Sequence, residues 1–288
     1  MPPRVSENLA LTERLGLSLP VAMETSLMFH EVMRTVLGTG LSLAVAVIPS
    51  IGYAQKNNAH VKNIVLVHGA FADGSSWAKL IPVLEARGYH VTAVQNPLTS
   101  LADDVAATRR ILALQDGPTI LVGHSWGGAV ITQAGDDPKV AGLVYVAAYA
   151  PDAGTSANDT STPFGITPGQ KSITVDAEHF ATLSPSGVFD SFAQGLPKQD
   201  RRLVLAVQGQ SYGPMFDEKL TIAAWKAKPS WHIIATDDRM LPPAMEEAGA
   251  KKANGTAVRV PACHLVMLQE PERVADVIDD AALHASAK

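Results

Sequence analysis

The sequence predicts an α/β protein, a mainly parallel sheet flanked by helices with a small helical cap inserted into it. Three observations carry that prediction. Short runs such as IVLV, ILV and VAGLVYV are apolar on both faces rather than at alternate positions, as strands buried on both faces of a parallel sheet require. Longer segments between them repeat their apolar residues at helical spacing, and such alternation closes as parallel strands joined by right-handed crossovers. The rhythm then breaks over about 151–223, a stretch rich in Gly, Pro, Ser and Thr that also carries Phe164, Phe180, Phe189, Phe192 and Tyr212. It is too long for a plain loop, and its aromatic residues favour a packed cap over a disordered insert.

The elements follow in order. NIVLVHG is the first strand, and SSWAKLIPVLEARG is a helix with Trp77, Leu80, Ile81 and Leu84 on one face, ended by Gly88. YHVTAVQ is the next strand. LADDVAATRRILALQ is a helix with its acids early and its arginines late, the order the helix dipole favours. TILVGHS, a helix from Trp126 to about Ala134, and the strand VAGLVYVAAYA complete the first half. Beyond the cap, SWHIIATDD is a strand, PPAMEEAGAKKANG a helix, TAVRVPACH a strand and turn, and PERVADVIDDAALHA a closing helix. The chain shows no internal repeat and no low-complexity tract.

With 288 residues, 47% of them hydrophobic and 18% charged, the chain has the composition of a globular protein with a sizeable core. A net charge of −5 with scattered Lys and Arg lacks the basic footprint of a nucleic-acid binder. The single cysteine, Cys263, excludes an internal disulfide and a multi-cysteine zinc site, and the nine histidines show no HExxH spacing. No metal and no cofactor are expected, and the expected partner is a small molecule.

The first 54 residues read differently. In MRTVLGTGLSLAVAVIPSIGYAQ, Arg34 precedes an uncharged apolar run from Val36 to Ile51, and small residues follow at Gly52 and Ala54. That order predicts a secretory signal peptide cut after Ala54, a periplasmic or secreted protein, and no stable membrane association after cleavage. A membrane-anchoring helix is the alternative, but the run is shorter than the ~20 apolar residues a span needs, and Pro49 interrupts it. Residues 1–32 are long for such a leader, and Met23, Met28 and Met33 are candidate starts. The domain proper is then expected over 55–288.

Gly123-His124-Ser125-Trp126-Gly127 fits G-x-S-x-G, preceded by a strand and followed by a helix. A strand that turns sharply into a helix strains the central residue and leaves no room for bulk two positions away. The turn lifts the Ser125 hydroxyl off the sheet and sets the Trp126 N–H at a helix N-terminus, facing a developing oxyanion. A serine needs a base, and the base an orienting acid. In this topology the chain order is serine, acid, histidine, and His264, between the last strand and the last helix, is the best-placed base. His68 and His124 lie inside the turn motifs, where packing is their expected role. Asp237 and Asp238 both sit at a strand's carboxyl end, one facing the histidine and the other capping the turn toward Pro242, without spacing alone choosing between them. At the first strand's end, His68-Gly69-Ala70 offers the Ala70 N–H as a second oxyanion donor.

The motifs VLVHGAFADGSSWAKLIPVLEARGYHVTAV, GHSWGG, TDDRMLPP and ACHLVMLQEPERVADVI resemble the α/β-hydrolase superfamily, from about residue 63 to 282. More narrowly they resemble the small esterases and hydroxynitrile lyases of the plant methyl-ester esterase type and their bacterial relatives. The resemblance implies Ser125 as nucleophile, His264 as base, Ala70 and Trp126 as oxyanion hole, and Asp238 as acid, because the acid of that group directly precedes the basic residue of its T-x-D-K/R turn. The lyases carry a lysine directly after the histidine. Leu265 stands there instead, so the resemblance implies an esterase acting on small apolar esters. Trp126 replaces the group's usual leucine or methionine and is expected to narrow the acyl pocket. The same triad in related folds also supports perhydrolase or haloperoxidase activity, lactone or amide hydrolysis, and non-catalytic ligand binding.

Overall fold

The computed structural model describes residues 61–285, so the segment expected to be an export signal lies outside the described residues. The first half runs β1 (Asn63–Val67), α1 (Leu80–Ala86), β2 (His90–Val94), α2 (Leu101–Ala113), β3 (Thr119–His124), α3 (Trp126–Ala134) and β4 (Val140–Val146). The cap follows, with α4 (Ala157–Ser161), β5 (Ile173–Val175), β6 (Phe180–Leu183), the single turn α5 (Pro185–Gly187), α6 (Lys198–Val207) and β7 (Ser211–Tyr212). The chain then returns to the sheet through β8 (Ser230–Ala235), α7 (Pro243–Lys252), β9 (Thr256–Val260), α8 (Val266–Gln269) and α9 (Pro271–His284).

Six strands form the main sheet in the order β2-β1-β3-β4-β8-β9, every neighbouring pair parallel. The uniformly apolar runs lie in its middle: β1, β3, β4 and β8 are buried along their whole length, while the edge strands β2 and β9 expose residues. Helix α1 packs with α9, and α2 packs with α3. The chain leaves β1 toward one edge and β3 toward the other. Their carboxyl ends therefore open into a crevice with no connection crossing it, which is where ligands bind in open α/β sheets.

Local chemistry explains the element ends. The single helix expected over SSWAKLIPVLEARG divides into a 3₁₀ turn, Gly74–Trp77, and α1. Asp73 caps the 3₁₀ turn by accepting from the Ser75 N–H at 2.8 Å. Starting α1 at Leu80 leaves Pro82 in the first turn, where its missing N–H costs no hydrogen bond. Helix α2 is capped by Ser100, whose hydroxyl accepts from the Asp103 N–H at 3.0 Å.

The cap is mixed rather than wholly helical. Besides its helices it holds an antiparallel sheet in the order β5-β6-β7. These strands are two to four residues long, too short for their periodicity to register in the sequence. Among the described residues, no helix is long and apolar enough to cross a membrane.

Candidate active site

At the end of β3 the backbone of Ser125 has φ 52° and ψ −118°, a strained conformation for a residue with a side chain. Its surroundings explain the flanking glycines. A Cβ on Gly123 would lie 2.5 Å from the Gly127 carbonyl oxygen, and one on Gly127 would lie 2.3 Å from that of Val67. The turn is tied to β4 and beyond: the Ser125 N–H donates to Val146 O at 3.2 Å, and the Ser125 carbonyl accepts from the N–H groups of Gly128 (3.0 Å) and Tyr149 (3.2 Å). Trp126 opens α3, so its N–H has no carbonyl to pair with inside the helix.

Of the two aspartates, Asp238 faces the histidine. Its Oδ2 lies 2.6 Å from His264 Nδ1, and both side chains are buried. Its Oδ1 accepts from the N–H groups of Met240 at 2.6 Å and Leu241 at 2.9 Å. The two tasks expected of two neighbours, facing the histidine and capping the turn, thus fall to one carboxylate. The Asp237 side chain is exposed, and its backbone carbonyl accepts from Gln194 Nε2 at 2.8 Å.

His264 is held from behind by His124, whose Nε2–H donates to the His264 carbonyl at 3.1 Å, with the rings 4.6 Å apart. Burial, then the neighbouring His264, holds the His124 imidazole well below the usual histidine range. It is therefore a neutral spacer, and its Nδ1 finds no partner among the described residues. His68 is also held neutral, by burial. Its Nδ1–H donates to Gly69 O and its Nε2 accepts from the Asn96 N–H, both at 2.9 Å, which steadies the loop leading to Ala70. The packing roles expected of these two histidines match their contacts.

Ala70, Ser125 and His264 line one cavity of about 490 Å³, with Asp238 behind His264. The Ala70 N–H makes no hydrogen bond among the described residues. The adjacent Phe71, at φ 59°, donates its N–H to Ser211 Oγ at 3.1 Å, so β7 of the cap braces this loop. Tyr149, Phe192, Phe216 and Met240 supply apolar walls, and Asn158 and Gln170 add amide groups.

The indole of Trp126 does not narrow this cavity, contrary to expectation. It is fully buried behind Phe216, ring centroids 5.1 Å apart, and its Nε1–H donates to Asp104 Oδ2 at 2.7 Å. The other oxygen of Asp104 accepts from the Leu98 N–H at 2.8 Å. Burial pushes the Asp104 carboxyl up to about 6, against the lowering effect of the two hydrogen bonds. The sequence placed Asp104 among ordinary first-turn acids and gave no sign of this contact. Of the cap aromatics singled out in the sequence, only Phe192 reaches the cavity. Leu265 is buried outside it.

A parallel sheet whose crevice holds a serine on a strained strand-to-helix turn, with an aspartate–histidine pair from later strand ends, defines the α/β hydrolases. Residues 64–277 match the model of the alpha/beta hydrolase family, and the chain belongs to that family of enzymes. It is 29% identical over 250 residues to the pyrethroid hydrolase of Sphingobium wenxiniae, covering 77% of this chain and 88% of that protein. Methylesterase 7 of Arabidopsis thaliana is 38% identical over 115 residues, a match to 34% of this chain and 43% of the plant protein. The crystal structure of a pyrethroid hydrolase from Sphingobium faniae JZ-2 superposes with a TM-score of 0.67 at 27% identity, covering 77% of this chain and 97% of that one.

Proposed function

We propose that the protein is a serine carboxylesterase acting on apolar aryl or alkyl esters without a cofactor. The observation that carries this reading is the 2.6 Å contact between Asp238 and His264, beside the cavity that also holds Ser125 on its strained turn. Asp238 accepts from Nδ1–H and so leaves Nε2 of His264 as the basic nitrogen. His264 takes the Ser125 proton as Oγ attacks the ester carbonyl carbon, and the carbonyl oxygen gains the negative charge. The N–H groups of Ala70 and Trp126 are its donors. Collapse of this intermediate breaks the ester C–O bond, and His264 returns its proton to the departing alcohol. Water, deprotonated by the same imidazole, then releases the acid from the acyl-enzyme.

The cavity supports the substrate class. Its volume lies in the range of small-molecule sites, and its walls are mostly apolar with a few amides for orientation. Leu265 provides no ammonium beside the histidine, which favours ester hydrolysis over the lyase reaction. The relatives named for pyrethroid hydrolysis and methyl-ester hydrolysis point the same way.

A serine-directed fluorophosphonate should label the wild-type protein and leave Ser125→Ala unlabelled. Turnover of short p-nitrophenyl esters should fall at least about 10³-fold in the variant. Full activity in Ser125→Ala would overturn the reading. The reading includes export: the basic, apolar and small-residue order of 33–54 supports a signal cut near Ala54. N-terminal sequencing of the exported protein should start near Gln55, and an uncleaved cytoplasmic product would refute this part.

A further inference from the structure

We propose that Glu246 is a neutral, proton-bearing positioning residue that donates its carboxyl hydrogen to Asp238 and thereby steadies the carboxylate on which His264 depends. The inference rests on the assignment of Asp238 and His264 given above. Glu246 lies on α7, is only 3% exposed, and is not among the residues that line the substrate cavity. Its Oε2 accepts from the N–H of Ala235, the last residue of β8, at 3.0 Å. Its Oε1 is buried and, among the described residues, has no donor to accept from. The Asp238 N–H donates to the carbonyl of the same Ala235 at 3.1 Å, so both carboxyl groups sit on the one turn that ends β8, and each feels the other.

Two carboxyl groups in contact inside a dry core must share a proton, and the donors around them say which one carries it. Asp238 accepts from the N–H groups of Met240 and Leu241 and from His264 Nδ1, whereas Glu246 accepts from one N–H. The better-solvated oxygens take the charge, so the hydrogen resides on Glu246. A protonated Oε1 also resolves the unpartnered atom, because it becomes a donor. Burial and then the charge of Asp238 hold the Glu246 carboxyl well above the usual carboxylate range.

No other group near the pair reverses this. Among the described residues, no cation forms an ion pair with Glu246, and its chain neighbour Glu247 is engaged by Arg259 of β9 at 2.8 Å. His232 of β8 is pushed down to about 3 by burial and is neutral. The Tyr149 phenol, pushed up to about 12 by burial, and the Cys263 thiol, raised by burial, are neutral groups that feel the Asp238 charge. Lys252, at the far end of α7, interacts with Asp152 instead. Asp238 therefore receives a fourth hydrogen bond that fixes its plane toward His264 without adding a second negative charge.

The test compares E246Q and E246L with wild type by the pH profile of kcat/KM for a p-nitrophenyl ester and of fluorophosphonate labelling. In E246Q the amide oxygen accepts from Ala235 and the amide N–H donates to Asp238. Rescue within a few fold is expected, with the acid limb of both profiles in place. In E246L Asp238 loses a donor. There kcat should fall about 10- to 100-fold with KM little changed, and the acid limb should move to higher pH. If Glu246 were ionised, E246Q would remove a negative charge near the imidazolium and move the acid limb down by about one pH unit, overturning the proposal. An E246L protein with wild-type kcat and profile would overturn it too, leaving Glu246 a packing residue. Should E246L fail to fold, the E246Q profile alone decides. Wild-type protein that is not labelled at Ser125 would instead sink the triad assignment, and this inference with it.

Discussion

The strand ends and the cap build the same cavity by different means. At the ends of β3 and β8 the reactive groups are fixed by backbone. Ser125 is pinned by three main-chain hydrogen bonds, and Asp238 accepts the N–H groups of its own turn. The cap adds side-chain ties to its short backbone ladder. The guanidinium of Arg201 reaches the carbonyls of Phe189, Gln194 and Leu196, the segment that carries Phe192. Chemistry that needs fixed distances thus sits on the stiffer scaffold. Walls that need only match an apolar shape sit on short cap strands and on a segment gathered by one long side chain.

If that division holds, the largest loss belongs to the strand ends. Asp238→Asn removes the acceptor that orients His264 and should lower kcat about 10⁴-fold on p-nitrophenyl esters. Asp237→Asn, one position away but exposed, should keep its turnover. A crippled Asp237→Asn beside an active Asp238→Asn would reverse the assignment.

A smaller effect is expected one layer behind the turn. Asp104 accepts from two N–H donors, and an amide cannot accept from both without pointing a donor at one of them. Asp104→Asn should therefore cost about 1–3 kcal/mol at pH 5 by denaturant titration. The same residue links stability to pH. Its carboxyl is raised to about 6 in the fold, so folding favours the protonated form. Its contribution is full below the unfolded value of about 3.9 and is lost as the pH rises through 6. Wild-type stability should carry a falling component across that window which Asp104→Asn lacks, and identical slopes would discount it.

The smallest effect tests whether the cap only shapes the cavity. Ser211→Ala removes the acceptor of the Phe71 N–H, a link from the cap to the loop bearing Ala70. Loss of about 1 kcal/mol of support should appear as roughly a fivefold drop in kcat. A change confined to KM would show that the cap contributes shape alone.

These contrasts follow what could be read from the sequence. The turn at Ser125 was legible because steric exclusion around a strained backbone leaves glycines at fixed offsets, and local rules survive translation into sequence. The buried strands were legible because two-sided burial demands unbroken apolar runs. Chain order points to His264 and the Asp237–Asp238 pair, and the family resemblance points to Asp238; spacing alone leaves the choice open, because which aspartate turns inward depends on how one tight turn meets a loop 26 residues away. The expected intrusion of Trp126 into the pocket failed for a related reason. A side chain at the first residue of a helix can turn either way, and here a partner on α2, Asp104, draws it inward. Cap strands of two to four residues are below the length at which periodicity speaks.

By itself the sequence determined the alternation of strand and helix, the sheet core, the family and the nucleophile's turn, since each rests on contacts between near neighbours or on burial repeated along a run. Only the tertiary structure decided that Asp238 both caps its turn and faces His264, that Trp126 points away from the cavity, that Ser211 braces the loop at Ala70, and that Glu246 lies against Asp238. Each of those contacts joins residues from different elements in a dry interior. There an unpaired polar group is costly, and the identity of its partner is settled by packing rather than by spacing along the chain.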